Sequence, residues 1–380
     1  MKDIPDDKTS VSGSVFGVPG DMHAHADCKH DHDHTVPTRT DAKSGIALSR
    51  RMFMSACGCV ALPISATGMA MLGRAARAEQ AAGGALLRAG HLPAGCVSHL
   101  LLAKARNMFA DAGLNVALTQ FNGPAENLQA LLAGSLDLMH SPWTTTLAAY
   151  ASDANNLRIC GGSGLSGVEL VARPGSVRNV NEFIEAAGTG LRVGTLRLDT
   201  LEVVASGIMS MNGKSYDDYE MTFFPSMVGM GEALASGAVD VCTLVQPYAE
   251  SVVRMADGVY LANSNDVWGP EAPDCVITTT SEKMDEHGAL LNAYMTVLSE
   301  AARDFYNDFD SALDELMPIY GAPREILEIA LKRQSPQPVL GAAAVAGIRT
   351  GVRYLIELGY FDTNIADDVI DLRYQPALAL

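Results

Sequence analysis

Imidazole and thiol side chains offer the chain its first chemistry, and their spacing divides them into two groups. Five of the nine histidines lie in His23-Ala24-His25 and Cys28-Lys29-His30-Asp31-His32-Asp33-His34. Imidazoles and a thiol so close together in a flexible leader bind transition metals loosely. The other four are His91, His99, His140 and His287. His91 and His140 fall at predicted strand ends, with Cys96 and His99 just downstream of the first. Two readings stay open for this group. It could suit zinc, copper or nickel, or the imidazoles could hydrogen-bond an organic ligand while Cys96 and His99 pack a helix.

Arg197 sits in Thr195-Leu196-Arg197-Leu198-Asp199-Thr200, where a strand gives way to a helix. A guanidinium beside a helix N-terminus makes a site for carboxylate, sulfonate or nitrate, and a strand-end arginine facing solvent is the alternative. Asp199 or Thr200 either caps the helix or touches ligand. Trp143, Tyr248 and Trp268 read as an aromatic box for a flat or cationic ligand, or as packing. Methionines at helical spacing, such as Met227 and Met230, read as core. There is no G-x-S-x-G, Walker loop or H-E-x-x-H, and Gly188-Thr189-Gly190 lacks the rest of a dinucleotide fingerprint. The expectation is therefore a protein that is not an enzyme, with no cofactor and no resident metal.

The elements that position these residues must come from a sizeable core. The 380 residues are 48% hydrophobic and 19% charged, enough for one large or two medium domains, which excludes collagen-like, disordered and disulfide-stapled classes. Seven cysteines include no C-x-x-C pair. With 27 basic and 44 acidic residues, net -17, the chain repels phosphate backbones, so nucleic acid is not an expected partner.

Residues 1–48 lack hydrophobic periodicity and read as a disordered leader. Ser49-Arg50-Arg51-Met52-Phe53-Met54 is a twin-arginine pattern, followed by an uncharged stretch to Gly73 and a small-x-small cleavage site at Ala76-Arg77-Ala78. This predicts a signal peptide over 49–78, recognised by the Tat export machinery and cleaved after Ala78. Retention of the uncharged stretch as an anchor is the alternative; Pro63 and the glycines argue against it. The exported chain, 79–380, would be periplasmic.

That chain alternates strands and helices. Strands are predicted at 85–91, 116–121, 137–140, 191–196, 221–224 and 239–244. Helices are predicted at 97–112, 124–132, 142–151, 200–211 and 227–235. This βαβα rhythm implies a largely parallel sheet with helices on both faces. One pair of segments nearly superimposes: Leu131-Leu132-Ala133-Gly134-Ser135-Leu136-Asp137-Leu138 and Leu234-Ala235-Ser236-Gly237-Ala238-Val239-Asp240-Val241, each followed by a proline. The match suggests two similar lobes.

The order of Gly90-His91-Leu92-Pro93, "ALLAGSLDL", "VELVARPGS", "LRVGTLRLDT", "EALASGAVDV" and the tail "GYFDTNIADDVIDLRY" resembles the substrate-binding proteins of nitrate, sulfonate, taurine and thiamine-precursor ABC importers, the SsuA/THI5-like type. The resemblance covers nearly all of 79–380. It implies an α/β fold, periplasmic-binding-protein type II-like, with two lobes joined by two crossover strands and a ligand cleft between them. The crossings would fall near 168–172 and 275–279, placing lobe one at 79–173 and 273–380 and lobe two at 174–272. Function would be capture of a small-molecule ligand and its delivery, by a monomer, to an ABC permease in the inner membrane. A periplasmic sensor subunit and an enzyme on the same fold are the alternatives.

Ligands of such folds sit at strand C-termini facing the cleft, where helix N-termini converge. The expected contacts are His91, Cys96, Asn122, His140, Ser141, Trp143 and Thr144 from lobe one. Lobe two would supply Thr195, Arg197, Thr200, Ser226, Gln246, Tyr248 and Trp268.

Overall fold

A computed structural model describes residues 84–377 except Ala272. The histidine-rich leader, the twin-arginine signal and the cleavage site lie outside the described residues.

The apolar runs form two sheets. In the first, β1 (Leu86–His91) pairs in parallel with β2 (Asn115–Gln120) and β3 (Leu138–Pro142). The connection from β1 to β2 departs from the single helix that the periodicity predicts. The chain makes a 3-10 turn (Gly95–Val97), then α1 (Ser98–Ala105) and α2 (Met108–Asp111). The break is at Asn107, whose φ of 57° is left-handed. Asparagine tolerates that region, and apolar spacing continuing across the kink conceals it. Between β2 and β3 lies α3 (Pro124–Leu132), started by a proline whose missing N–H costs nothing in a first turn. After β3 come α4 (Trp143–Ala151) and β4 (Leu157–Leu165).

The chain then crosses through Ser166-Gly167 into a second sheet made of β5 (Val168–Ala172), β6 (Arg192–Thr195), β7 (Glu220–Phe223), β8 (Val241–Val245) and β9 (Val259–Asn263). Its helices are α5 (Val180–Glu185), α6 (Thr200–Met211), α7 (Met227–Ala235), α8 (Tyr248–Ala256) and the short α9 (Ser264–Trp268). The return strand β10 (Pro273–Thr280) re-enters the first sheet and is followed by α10 (Ser281–Asn307), α11 (Phe309–Tyr320) and α12 (Arg324–Arg333). A two-residue edge strand β11 (Ser335–Pro336) precedes α13 (Ala342–Glu357) and α14 (Ala366–Val369).

Strand order is β11-β4-β10-β3-β1-β2 in the first sheet and β7-β6-β8-β5-β9 in the second. The orders match: β2-β1-β3-β10-β4 corresponds to β7-β6-β8-β5-β9. β10 and β5 are the crossing strands, and each runs antiparallel to both neighbours. The parallel rhythm is thus real, with one reversed strand inserted wherever the chain arrives from the other sheet.

Two large cores form, one centred on each sheet, and the second reaches Trp143, Ile159 and Val276 of the first. Leu87, Leu100, Leu102, Leu138, Ile277 and Tyr294 centre the first; Leu170, Phe183, Val193, Val204 and Leu244 centre the second, where Ile348, Val352 and Leu355 of α13 also pack. Each fully buried large side chain contributes about 1.5–3 kcal/mol before the entropy of ordering it. Among the described residues, no helix is long and apolar enough to cross a membrane.

Candidate ligand-binding site

The loops that end the strands of the two sheets meet. Gly95, after β1, donates its N–H to Gln246 O after β8 at 2.8 Å. Thr145 Oγ1 of α4 lies 3.4 Å from Leu198 O at the start of α6. Gln334 packs directly on Gly95, where a Cβ would stand 2.4 Å from Gln334 Oε1 and push that amide aside.

At this meeting, register places Cys275 of β10 opposite Pro142 and Val276 opposite Ser141. Trp143 opens α4 and donates its indole N–H to Pro273 O at 2.9 Å, while Trp268 of α9 stands edge-to-face with it, ring centroids 5.8 Å apart. Gln334, following α12, donates to Asp274 Oδ2 at 2.9 Å. Several buried polar atoms joined to this junction have no protein partner: Ser141 Oγ, Thr144 Oγ1, Trp268 Nε1 and Gln334 Oε1. A buried polar atom left unpaired costs about 1–3 kcal/mol, so four together mark a place built to meet something else. No side chain caps the N-terminus of α4.

Three buried carboxyl groups, Asp274, Asp199 and Glu169, act on one another at the junction. Asp274 is fully buried, and its carboxyl is pushed up to about 8, by burial first and then by the neighbouring charges of Glu169 and Asp199. Asp199 is pushed up to about 6 by burial, against the Leu201 N–H that it caps at 3.1 Å. Glu169 is matched by Arg333, which approaches its two oxygens at 2.7 and 2.9 Å.

The expected contacts divide accordingly. Ser141, Trp143, Thr144 and Trp268 come together at the junction. His91 is buried nearby, with Nδ1 3.2 Å from Leu92 O and its basicity lowered by burial. His140 is committed on both sides: Nδ1 lies 2.7 Å from Ser163 Oγ and Nε2 2.8 Å from Tyr294 Oη. Because Ser163 donates onward to Cys96 O at 3.0 Å, the network assigns the imidazole proton to Nδ1. Cys96 is buried with its sulfur against that of Cys275. Thr195 pairs with Thr243 at 2.9 Å, and Thr200 leans on Asp199 at 3.2 Å. Gln246 spans Glu169, Tyr260 and the N–H of Glu250. Ser226 caps α7 through Gly229 N–H, and Tyr248 is half-buried.

Two expected contacts are exposed. Asn122 faces solvent, and so does Arg197, whose guanidinium lies 3.8 Å from the centroid of the Phe223 ring. The ring's negative face and the nearby Glu202 and Tyr360 hold the cation in place. His99 is buried beside His140, centroids 6.1 Å apart, and burial lowers its pKa to about 3. Among the described residues, no three His, Cys, Asp or Glu side chains stand together as a metal ion would require. Asp274 and Gln334 were not selected from sequence: Asp274 hides in an apolar strand, and its partner lies 60 residues away.

The sequence model of the NMT1/THI5-like family matches residues 97–312, more than half of the chain. The chain belongs to the NMT1/THI5-like family. Within it, this NMT1/THI5-like chain is similar in structure to the ligand-binding component of an ABC-type import system from Staphylococcus aureus, described with zinc bound. The TM-score is 0.66 at 17% identity, covering 76% of this chain and 97% of that one. It is similar to the periplasmic aliphatic sulphonate binding protein SsuA of Escherichia coli, with TM-score 0.66, 16% identity and coverage of 77% and 94%. The periplasmic nitrate-binding protein NrtA of Synechocystis PCC 6803 follows with TM-score 0.64, 13% identity and coverage of 76% and 86%. At such identities the likeness shows the fold, two α/β lobes of the periplasmic-binding-protein kind. No curated protein sequence matches the NMT1/THI5-like chain.

Proposed function

We propose that the chain is an exported solute-binding protein that closes its two lobes on a small ligand and presents the closed form to an ABC permease. The observation that carries this reading is the set of unpaired buried polar atoms at the junction of β3, α4, α9, β10 and α12. Family membership and the import-system neighbours support the same role. A ligand that satisfies those atoms only when the lobes meet shifts the hinge equilibrium toward the closed form. The lobes would be divided as expected, at about 173 and 272, with Ser166-Gly167 and the segment before β10 as hinges. The protein would act as a monomer and return its ligand unaltered. The Arg50-Arg51 pair would direct it through the Tat machinery to the periplasm, with cleavage after Ala78.

Thermal-shift screening of the purified protein against sulfonates, nitrate, pyrimidines, amines, amino acids and divalent metals tests this reading. A ligand at 100 times its Kd adds about 2.7 kcal/mol of stability. One class should raise Tm and be recovered unchanged. Catalytic turnover of the bound molecule would move the protein to the enzymes of this fold. For export, replacing Arg50 and Arg51 by lysine should leave precursor in the cytoplasm; undiminished periplasmic yield would sink the Tat assignment.

A further inference from the structure

The four described cysteines are all buried, and two of them meet. Cys96 Sγ, in the 3-10 turn after β1, lies 2.9 Å from Cys275 Sγ on β10, although the residues are 179 positions apart. The turn is held from several directions. Tyr320 Oη donates to Ala94 O at 3.0 Å, Gly95 N–H to Gln246 O at 2.8 Å and Ser163 Oγ to Cys96 O at 3.0 Å. Beneath it, Gly164 of β4 pairs with Cys275, and a Cβ on Gly164 would stand 2.5 Å from Cys96 Cα. The missing side chain is what lets the turn settle onto the strand that carries the second thiol. Cys160 and Cys242 have no such counterpart: Cys160 Sγ faces Ile277 O at 3.5 Å, and Cys242 is buried in the second core.

We propose that Cys96 and Cys275 are an oxidisable pair that closes to a disulfide once the protein reaches an oxidising compartment. A disulfide needs sulfurs about 2.05 Å apart, so closure asks for less than about 1 Å of movement. One thiol loses its proton and attacks the disulfide of a small-molecule or protein oxidant. The resulting mixed disulfide is displaced by the second thiolate, and the oxidant leaves with both of its sulfurs reduced. Contact with Cys96 and burial both hold the Cys275 thiol in its protonated form, so exchange proceeds when the junction opens or before it has formed. The bond would tie the first lobe's opening turn to its returning strand and enclose the entire second sheet in one covalent loop.

Oxidation in the cell rests on the export reading; the chemistry does not, so the test is made in vitro. Purified full-length chain is reduced, exposed to oxidised glutathione at pH 8, unfolded in iodoacetamide and digested without reductant for mass spectrometry. A peptide pair joining Cys96 to Cys275 is expected, together with a rise in Tm of roughly 5–10 °C that reductant reverses. Cys96→Ser and Cys275→Ser should each abolish the linked pair and the rise while retaining the circular dichroism of the reduced parent. Quantitative alkylation of both cysteines after oxidant, or linkage of either to another cysteine, overturns the proposal in any compartment. Cytoplasmic retention in cells with the bond still forming in vitro would count against export alone.

Discussion

Asp137 clasps Arg88 three times, accepting from its backbone N–H at 2.8 Å, its Nε at 3.0 Å and its Nη2 at 2.8 Å. Asp240 grips Arg192 in the same way, at 3.1, 2.9 and 2.8 Å. These aspartates are the matched positions of the two similar sequence segments, and each arginine lies on the strand beside the one that its aspartate introduces. The repeat therefore encodes a fastening between neighbouring parallel strands, once per sheet.

Removing either clasp should weaken its lobe. Asp137→Asn and Asp240→Asn should each cost about 1–3 kcal/mol at pH 7, toward the lower end because each arginine side chain is 37% exposed. For Asp137 burial raises the carboxyl and the Arg88 hydrogen bonds overcome it; for Asp240 the Arg192 hydrogen bonds lead. Both are held near 2 against an ordinary 3.8. Their contribution is present above the unfolded value and lost as pH falls through 2. Urea denaturation at pH 7 and at pH 2.5 should show the parent-to-variant gap shrinking in acid.

Asp274 should act in the opposite sense. Its folded pKa of about 8 exceeds the unfolded 3.8, so its contribution is full below 3.8 and is lost as pH rises through 8. His91, His99 and His140 are shifted downward, so their unfolded forms still bind protons near pH 6.5 and oppose the Asp274 trend until about pH 7. The ligand-free protein should therefore lose stability from about pH 7 to 8.5, by less than about 1.4 kcal/mol per unit from this group. Asp274→Asn should flatten that limb, and denaturant midpoints across the range would reveal it.

The two tryptophans should separate binding from folding. Trp143→Phe loses the hydrogen bond to Pro273 O and should cost about 1 kcal/mol or more in stability. Trp268→Phe removes an N–H that has no protein partner, so beyond the small cavity that both changes leave it should cost less stability than Trp143→Phe, while affinity falls by roughly one to two decades. Equal losses of affinity and stability in both variants would show that the Trp268 N–H does not meet the ligand.

Gly351→Ala tests the packing behind that pair. A Cβ there would stand 2.6 Å from Trp143 Cη2 and 2.7 Å from Cζ2, and an indole ring has no flexible end to yield. A loss of about 1–3 kcal/mol is expected, with a shift in emission from the chain's only two tryptophans. An unshifted spectrum and unchanged Tm would show that α13 slides to accept the methyl.

Much of the architecture was legible because its punctuation is local. Pro124 begins α3, Asp199 and Ser226 cap α6 and α7, and Gly134 and Gly237 end helices at φ of 72° and 77°. The kink at Asn107 was not legible, since apolar spacing runs through it. At the site, strand ends could be placed but side-chain directions could not. His140 and Gln246 lie where expected, yet their polar atoms are engaged by Tyr294 and Ser163 and by Glu169 and Tyr260, from elements far away in the chain. Arg197 stacks on Phe223, a preference visible only once β6 and β7 are side by side.

The position of β10 between β3 and β4 bears on how the molecule is made. A ribosome releases the first four strands long before Pro273 exists, and until then β3 and β4 have nothing to pair through. The second sheet, whose strands all lie between Val168 and Asn263, can complete itself during that interval. The first waits, with the edges of β3 and β4 unsatisfied, for a strand delivered after its sibling is finished. Truncated chains ending before Thr280 should therefore carry a paired second sheet whose core still lacks α13, beside a first sheet that recruits chaperones until its late strand is inserted.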